Sequence, residues 1–192
     1  MKIATIDYPL KLDLPSIGRS PGLHVSDIYG SLYKTLQPSR YAARKTHAEK
    51  DEDYDPIMVA LGLAWESHVE RALTVAGVRA ERPGEFFSPE GIAFSPDLLI
   101  DNGHTMVGEI KFTRYKMGYY HDEKFAKWVT QMKAYCYHLK TPYARLFALH
   151  MGGDYRFNRK PTFVVTDFTF TEKELAREWQ LLLSHARQKG LL

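Results

Sequence analysis

The spacing of hydrophobic and polar residues divides the chain into helical and extended segments. Apolar residues at helical intervals predict helices over residues 27–36, 56–77, 122–139 and 171–189. Runs rich in β-branched and aromatic residues predict strands over residues 92–100, 105–113, 143–151 and 162–170. Strands clustered between helices indicate an α/β sandwich, in which helices flank a central mixed β-sheet of four or five strands.

Local signals define the ends of several elements. Ser26 is placed to cap the first helix, which ends before Pro38. Thr171 and Glu174 have the spacing of a capping box and open the last helix. Residues 1–25 contain Pro, Gly and isolated apolar residues and are expected to form an irregular arm. The charged residues 45–55 are expected to form an exposed loop or a mobile lid.

Length and composition favour a single domain. The 192 residues are 44% hydrophobic, which is enough for one sizeable core, and no linker-like stretch interrupts them. No apolar run approaches the ~18 residues of a membrane span, and the first residues lack the apolar region of a signal peptide. The single cysteine, Cys136, excludes an internal disulfide and favours a reducing compartment. We therefore expect a cytoplasmic protein, in the host cytosol if a phage encodes it.

Two carboxylates and an amine lie within reach of one predicted hairpin. Ser95-Pro96-Asp97 occurs in its first strand, and Gly108-Glu109-Ile110-Lys111 occurs in its second. Glu109 and Lys111 are two residues apart, so both side chains project from the same face of an extended strand.

The register of the hairpin decides whether Asp97 joins them. A loop of two or four residues would turn Asp97 to the face opposite Glu109. We expect instead a three-residue loop over residues 101–103, with Gly103 in the left-handed region and Ile100 paired with His104. This register puts the side chains of Asp97, Glu109 and Lys111 on one face. Pro96 cannot donate a hydrogen bond to the ladder and is expected to end the regular pairing just before Asp97.

This set of residues suits the metal-assisted cleavage of phosphodiesters. Magnesium takes hard oxygen ligands and neutralises charge on the phosphate and on the leaving alkoxide. Asp97, Glu109 and the Ile110 carbonyl are predicted ligands, while the Lys111 amine would position a water or offset charge in the transition state. On these residues alone, an exposed strand carrying an ordinary ion pair is an alternative.

Two flanking motifs resemble those of the PD-(D/E)XK nuclease superfamily, in its RecB-like and lambda-exonuclease (YqaJ-like) branch. They are GLAWE at residues 62–66 and QMKAY at residues 131–135, and the resemblance spans roughly residues 56–139. It implies a restriction-endonuclease-like core in which Glu66 is a further metal ligand, Gln131 orients the lysine, the water or the phosphate, and Tyr135 lends a hydroxyl or a ring. The catalytic set is then Glu66, Asp97, Glu109, Lys111, Gln131 and Tyr135.

The flanking residues also have simpler interpretations. Glu66 alone would be a solvated glutamate, but apolar residues on nearly every side of its helix indicate burial, and a buried carboxylate needs a partner, for which a metal is the simplest choice. Gln131 and Tyr135 share one helical face, and Tyr135 fits the edge of a core equally well.

Basic and aromatic residues near this site are candidate DNA contacts. The formal net charge of +3 is small, so only the distribution of charge is informative. For the stretch 114–127 a solvated loop is an equally good interpretation. The predicted contacts are Arg19, Arg40, Arg44, Arg114, Lys116, Tyr119 and Lys124.

Together these features predict a metal-dependent DNA nuclease, and the resemblance favours an exonuclease of the phage recombination type. Mg²⁺ is the expected cofactor, with Mn²⁺ as a substitute, and one cysteine leaves no Fe–S cluster. The resemblance alone implies a ring-shaped homo-oligomer and a single-strand annealing protein as partner; no membrane is expected. The alternatives are a structure-specific or nicking endonuclease of this fold and a non-catalytic DNA-binding module. A glycosidase-like carboxylate pair is disfavoured by Lys111.

Overall fold

A computed structural model of the chain describes residues 20–38, 56–113, 122–152 and 161–192. Within these ranges four helices flank a five-stranded mixed sheet, which confirms the predicted α/β class. The helices are α1 (Val25–Leu36), α2 (Pro56–Val75), α3 (Asp122–Leu139) and α4 (Glu172–Gln188). The strands are β1 (Arg79–Glu81), β2 (Phe86–Phe87), β3 (Ala93–Phe94), β4 (Leu98–Asp101), β5 (Thr105–Thr113), β6 (Tyr143–His150) and β7 (Thr162–Thr169).

The main sheet has the strand order β1-β4-β5-β6-β7, and β2 pairs with β3 in a separate small ribbon. Among the strand pairs of this sheet that the structure describes, only β5–β6 is parallel. A parallel pair needs a crossover connection, and the chain between β5 and β6 contains α3. Helix α3 is therefore the part of this crossover that the structure describes.

The sheet separates two hydrophobic clusters. On one face, residues such as Ile28 of α1, Met132 of α3 and Trp179 of α4 pack together with Val107. On the other face, Val69 of α2 packs with Ile110 and its neighbours. Because side chains alternate along β5, Glu109 and Lys111 project to the face of Val107, beneath α1 and α3.

Most predicted elements have the expected positions. Helix α3 has the predicted bounds, and β6 and β7 each end one residue early. The predicted capping box is confirmed, since the Glu174 amide donates to Thr171 Oγ1 at 3.2 Å and the Thr171 amide donates to Glu174 Oε2 at 2.8 Å.

The predicted cap of α1 is wrong. The helix begins at Val25 with His24 as its N-cap residue, and the His24 amide donates to Asp27 Oδ2 at 3.0 Å, so Ser26 already lies inside the first turn.

The predicted strand 92–100 is divided in two. Ala93–Phe94 pairs with β2, and Leu98–Asp101 joins the main sheet, so the residues between them connect two sheets. Pro96 lies in this break, where its missing N–H costs no ladder bond.

The hairpin register differs from the prediction by two residues. Asp101 pairs with Thr105, and Ile100 pairs with Met106 rather than with His104. The loop still has three residues, now 102–104, with Gly103 at φ +77°. A shift of two residues preserves the faces of the strands, so Asp97 falls on the side of Glu109 as expected, one residue beyond the last pair of the ladder.

Gly108 allows β4 and β5 to approach closely just before Glu109. A Cβ atom at this position would lie 2.9 Å from the Leu98 Cβ and 3.2 Å from the Ile100 Cδ1. Any larger residue would push the two strands apart next to the candidate site.

The predictions for the arm before residue 20 and for the loop at residues 45–55 lie outside the described ranges. Among the residues that the structure does describe, no helix is both long and apolar enough to cross a bilayer.

Candidate active site

Asp97 binds the backbone of β5 at the point where β4 ends. The regular β4–β5 ladder stops at the pair Leu98–Gly108. Beyond it, Asp97 Oδ2 accepts a hydrogen bond of 2.7 Å from the Ile110 amide. The amide and carbonyl of one strand residue point to the same edge of the strand, so the Ile110 carbonyl also faces the side of Asp97. Asp97 and the Ile110 carbonyl are thus brought together at an open part of the strand edge.

Glu109 is fully buried, and only one of its two carboxylate oxygens has a hydrogen-bond partner among the described residues. It has 0% exposure, and its Oε1 accepts a hydrogen bond from Lys111 Nζ. Its Oε2 is buried and has no hydrogen-bond partner in the described structure. Burial and then the Asp97 charge raise the pKa of Glu109 to about 8, against the opposing effect of Lys111. An orphaned carboxylate oxygen at this position fits a cation better than a purely structural role.

Lys111 provides the positive charge of the site. Burial alone would lower the pKa of its ammonium, but the charges of Glu109 and Asp97 outweigh burial and raise that pKa above its ordinary value. Lys111 is therefore a cation at any physiological pH. Its side chain is 22% exposed, which leaves the ammonium within reach of a bound substrate.

Glu66 reaches this region from α2, on the other side of the sheet. Its Oε2 accepts a hydrogen bond of 3.1 Å from Arg82 Nη1. Burial and then the Asp97 charge raise the pKa of Glu66, whereas Arg82 and Lys111 lower it. Glu66, Asp97 and Glu109 therefore form one electrostatic group.

The expectation that α2 is largely buried is wrong. Val69 is 3% exposed, but Leu61 is 43% exposed and Val75 is 83% exposed, because α2 covers only part of its face of the sheet. The Glu66 side chain is 24% exposed, and its carboxylate contacts the guanidinium of Arg82.

Each carboxylate has a protein contact in this structure: Glu66 with Arg82, Asp97 with the Ile110 amide, and Glu109 with Lys111. Within the described ranges, no three His, Cys, Asp or Glu side chains form a ready-made metal cluster. The oxygen-only donor set and the free Glu109 Oε2 nevertheless match the ligand preference of Mg²⁺. The negative charges of neighbouring carboxylates also favour the approach of a cation.

Gln131 and Tyr135 of α3 form a buried hydrogen-bond chain beside this group. Gln131 Nε2 donates to the Tyr135 hydroxyl at 2.8 Å, and Gln131 Oε1 accepts from the Tyr29 hydroxyl at 3.3 Å. Burial and then the Glu109 charge raise the pKa of Tyr135 well above its ordinary value, so it stays a neutral phenol. The Gln131 amide is thus held from both ends.

Tyr29 and Arg82 belong to the site but were missed by the sequence analysis. Tyr29 lies in α1, before the part of the chain that carries the motifs, and its hydroxyl donates to Gln131 Oε1. Arg82 follows β1 in a short loop. Neither residue stands at an informative spacing from Asp97 or Glu109, so only tertiary contacts reveal them.

One predicted DNA contact is described. Lys124 Nζ donates to Thr113 Oγ1 at 3.0 Å, which places this ammonium at the end of β5, the strand that carries Lys111. The other predicted contacts lie outside the described residues: Arg19, Arg40, Arg44, Arg114, Lys116 and Tyr119.

Comparison with known proteins identifies the fold. A scan against models of protein families and a search of curated protein sequences give no match. Among solved structures, the alkaline exonuclease LHK-Exo from Laribacter hongkongensis is similar, with 16% identity, a TM-score of 0.55 and coverage of 87% of each chain. A structure of LHK-Exo in complex with dAMP gives 17% identity, a TM-score of 0.53 and coverage of 88% of this chain and 89% of that one.

A phage-related exonuclease from Haemophilus somnus 129PT is similar as well. It has 12% identity and a TM-score of 0.54, and the match covers 87% of this chain and 92% of that one. At these identities the likeness establishes a shared fold. The chain therefore has the α/β fold of these exonuclease structures, in agreement with the fold that its motifs imply.

Proposed function

We propose that this chain is a metal-dependent DNA nuclease that hydrolyses phosphodiester bonds and degrades DNA from its ends. The observation that carries the proposal is the fully buried Glu109, which has one oxygen on Lys111 and one oxygen without a partner, beside Asp97 at the open edge of β5. The shared fold supports the proposal, because solved structures of that fold include exonucleases.

Asp97, Glu109, the Ile110 carbonyl and Glu66 would hold Mg²⁺, or Mn²⁺ in its place. The cation would supply Lewis acidity and neutralise negative charge on the phosphate. For Glu66 to take part, its carboxylate has to offer the oxygen that Arg82 does not use.

The remaining side chains act on the substrate and the attacking water. The Lys111 ammonium is placed to offset the charge that gathers on the phosphate in the transition state. Gln131, held between Tyr29 and Tyr135, orients the phosphate or the water with a fixed amide. Lys124 extends the positive charge toward the DNA backbone.

A digestion assay with three DNA forms tests the proposal. Purified protein is incubated with linear duplex, closed circular duplex and single-stranded DNA, each with Mg²⁺, Mn²⁺ or EDTA. We expect metal-dependent loss of the linear DNA and survival of the closed circle. Cleavage of the circle would instead mean an endonuclease. Equal digestion by wild type and by Glu109→Gln would mean a contaminant and would remove the assignment.

The pKa of Glu109 predicts how metal binding depends on pH. Because that pKa is raised to about 8, the metal-free site holds a proton below pH 8 that a cation must displace. The affinity for Mg²⁺ should therefore rise by up to about tenfold for each pH unit below the Glu109 pKa and level off above it. Calorimetric titrations in two buffers of different ionisation enthalpy would detect the released proton. An affinity that is flat across this range would contradict the protonated state of Glu109.

The contact between Tyr29 and Gln131 predicts a smaller effect on turnover. Tyr29→Phe removes the donor to Gln131 Oε1, and the loss of a hydrogen bond of about 1 kcal/mol corresponds to roughly a fivefold lower kcat. Tyr33→Phe is a matched control, because this tyrosine lies one turn further along α1 and its hydroxyl contacts Thr130 instead. Equal kcat values for the two variants would remove Tyr29 from the site.

A further inference from the structure

Arg82 connects two glutamates that lie one helical turn apart on α2. Its Nη1 donates to Glu66 Oε2 at 3.1 Å, and its Nε donates to Glu70 Oε2 at 2.8 Å. The arginine directly follows β1, which packs against α2. The guanidinium thus binds two carboxylates at once: Glu66, which belongs to the candidate site, and Glu70, which lies outside it.

The three side chains of this ion-pair group differ in their exposure. The Glu66 side chain is 24% exposed, against 38% for Glu70 and 40% for Arg82, so Glu66 is the innermost of the three. Glu66 also interacts electrostatically with Asp97 and Lys111. The arginine therefore connects the solvent-facing surface of α2 to the carboxylates of the site.

A glutamate on a partly exposed helix loses conformational freedom when it is fixed at one position. Arg82 supplies that constraint through one oxygen of Glu66, Oε2. Glu70 in turn anchors the guanidinium through Nε, so that Arg82 is held against α2. Partners of this kind, which hydrogen-bond a metal-ligating carboxylate, typically change metal affinity by about 10–100-fold when they are removed.

We propose that Arg82, anchored by Glu70, is a positioning residue that holds Glu66 in place for cation binding at the nuclease site. The inference rests on the proposed function and adds two residues, Arg82 and Glu70, that no sequence motif contains. It also gives the direction of the effect. On charge alone, removal of a positive group near the carboxylates would strengthen the binding of a cation, whereas loss of positioning weakens it.

Calorimetric titration of Mn²⁺ into the full chain tests this proposal without a turnover assay. Arg82→Gln is expected to weaken Mn²⁺ binding about tenfold. Arg82→Lys should weaken it as well, because an ammonium keeps the charge but cannot bind both glutamates as a planar fork. Glu70→Gln should produce a smaller weakening. Arg79→Gln is the matched control with no expected change, since Arg79 pairs with Asp101 and its side chain is 82% exposed.

Thermal unfolding of the same variants in EDTA checks that each is folded. Binding of Mn²⁺ to Arg82→Gln that is equal to or tighter than wild type would overturn the proposal, and so would an Arg82→Lys variant that matches wild type. A wild-type protein that binds no Mn²⁺ and cuts no DNA would overturn the proposed function together with this inference. A wild type that binds and cuts, with Arg82→Gln unchanged, would overturn only the role of Arg82.

Discussion

Lys111→Met should lower the rate of DNA cleavage by about 10²–10³-fold, the loss typical when one preorganised charge donor is removed from a transition state. The methionine keeps most of the apolar stem of the lysine but removes the ammonium that contacts Glu109. Cation binding should persist at a pH well above the pKa of Glu109, where the carboxylate is ionised without the help of Lys111. Rapid-quench measurement of single turnovers, with calorimetric titration of Mn²⁺ alongside, separates the two effects.

Lys133→Met is the matched control for this prediction. The Lys133 side chain is 20% exposed, close to the 22% of Lys111, and it likewise pairs with a glutamate, Glu178, at 3.6 Å. This pair lies between α3 and α4, away from the carboxylates of the site. A cleavage rate of Lys111→Met that stays within a few-fold of the control would show that the Lys111 ammonium takes no part in the reaction.

Asp97→Asn should raise the metal concentration needed for half-maximal cleavage by about 100-fold or more, because even the outer partners of metal ligands cost about 10–100-fold when they are lost. The fold should survive, since the asparagine carbonyl oxygen can still accept the hydrogen bond of the Ile110 amide. The variant therefore removes a charge while it keeps the contact. Cleavage rates measured against Mg²⁺ concentration would show the shift.

Asp101→Asn makes the same chemical change at the other end of β4. Asp101 forms an ion pair with Arg79 and accepts a hydrogen bond from the Gly103 amide, and its side chain is 47% exposed. We expect this variant to have the metal dependence of the wild type. If Asp97→Asn has it too, Asp97 is a structural acceptor for β5 and no cation ligand.

The sequence was sufficient for the elements of the fold, because their signals are local. The apolar periodicity of α3 and the capping box at Thr171 depend only on nearby residues, and the structure has both as predicted. The only sign in the sequence of the break between β3 and β4 was Pro96, which lies between the two strands. Strands β3 and β4 belong to different sheets because β3 pairs with β2. Strand β2 has only two residues and is too short to predict from its sequence.

The hairpin shows why faces can be predicted more securely than registers. The predicted pair Ile100–His104 and the observed pair Ile100–Met106 differ by two residues, and side chains alternate with the same period. The face of Asp97 was therefore predicted correctly from a wrong register. A difference of one residue would have separated Asp97 from Glu109.

The part of the site that could not be predicted depends on contacts between distant segments. Glu66 was expected to be buried, whereas the structure leaves its side chain 24% exposed and gives it a contact with Arg82, 16 residues further along the chain. Tyr29 reaches Gln131 across 102 residues. Side chains such as these are brought to the site by the packing of α1 and β1, and no spacing in the sequence records that packing.

The central claim is that Asp97 and Glu109 bind one cation next to Lys111, with Glu66 close by. Anomalous diffraction from crystals grown with Mn²⁺ tests it most directly. We predict a Mn²⁺ peak within coordination distance of Asp97 and of Glu109 Oε2, the oxygen that has no hydrogen-bond partner among the described residues. A map without a peak there, in crystals where Glu109 contacts only Lys111, would contradict the claim.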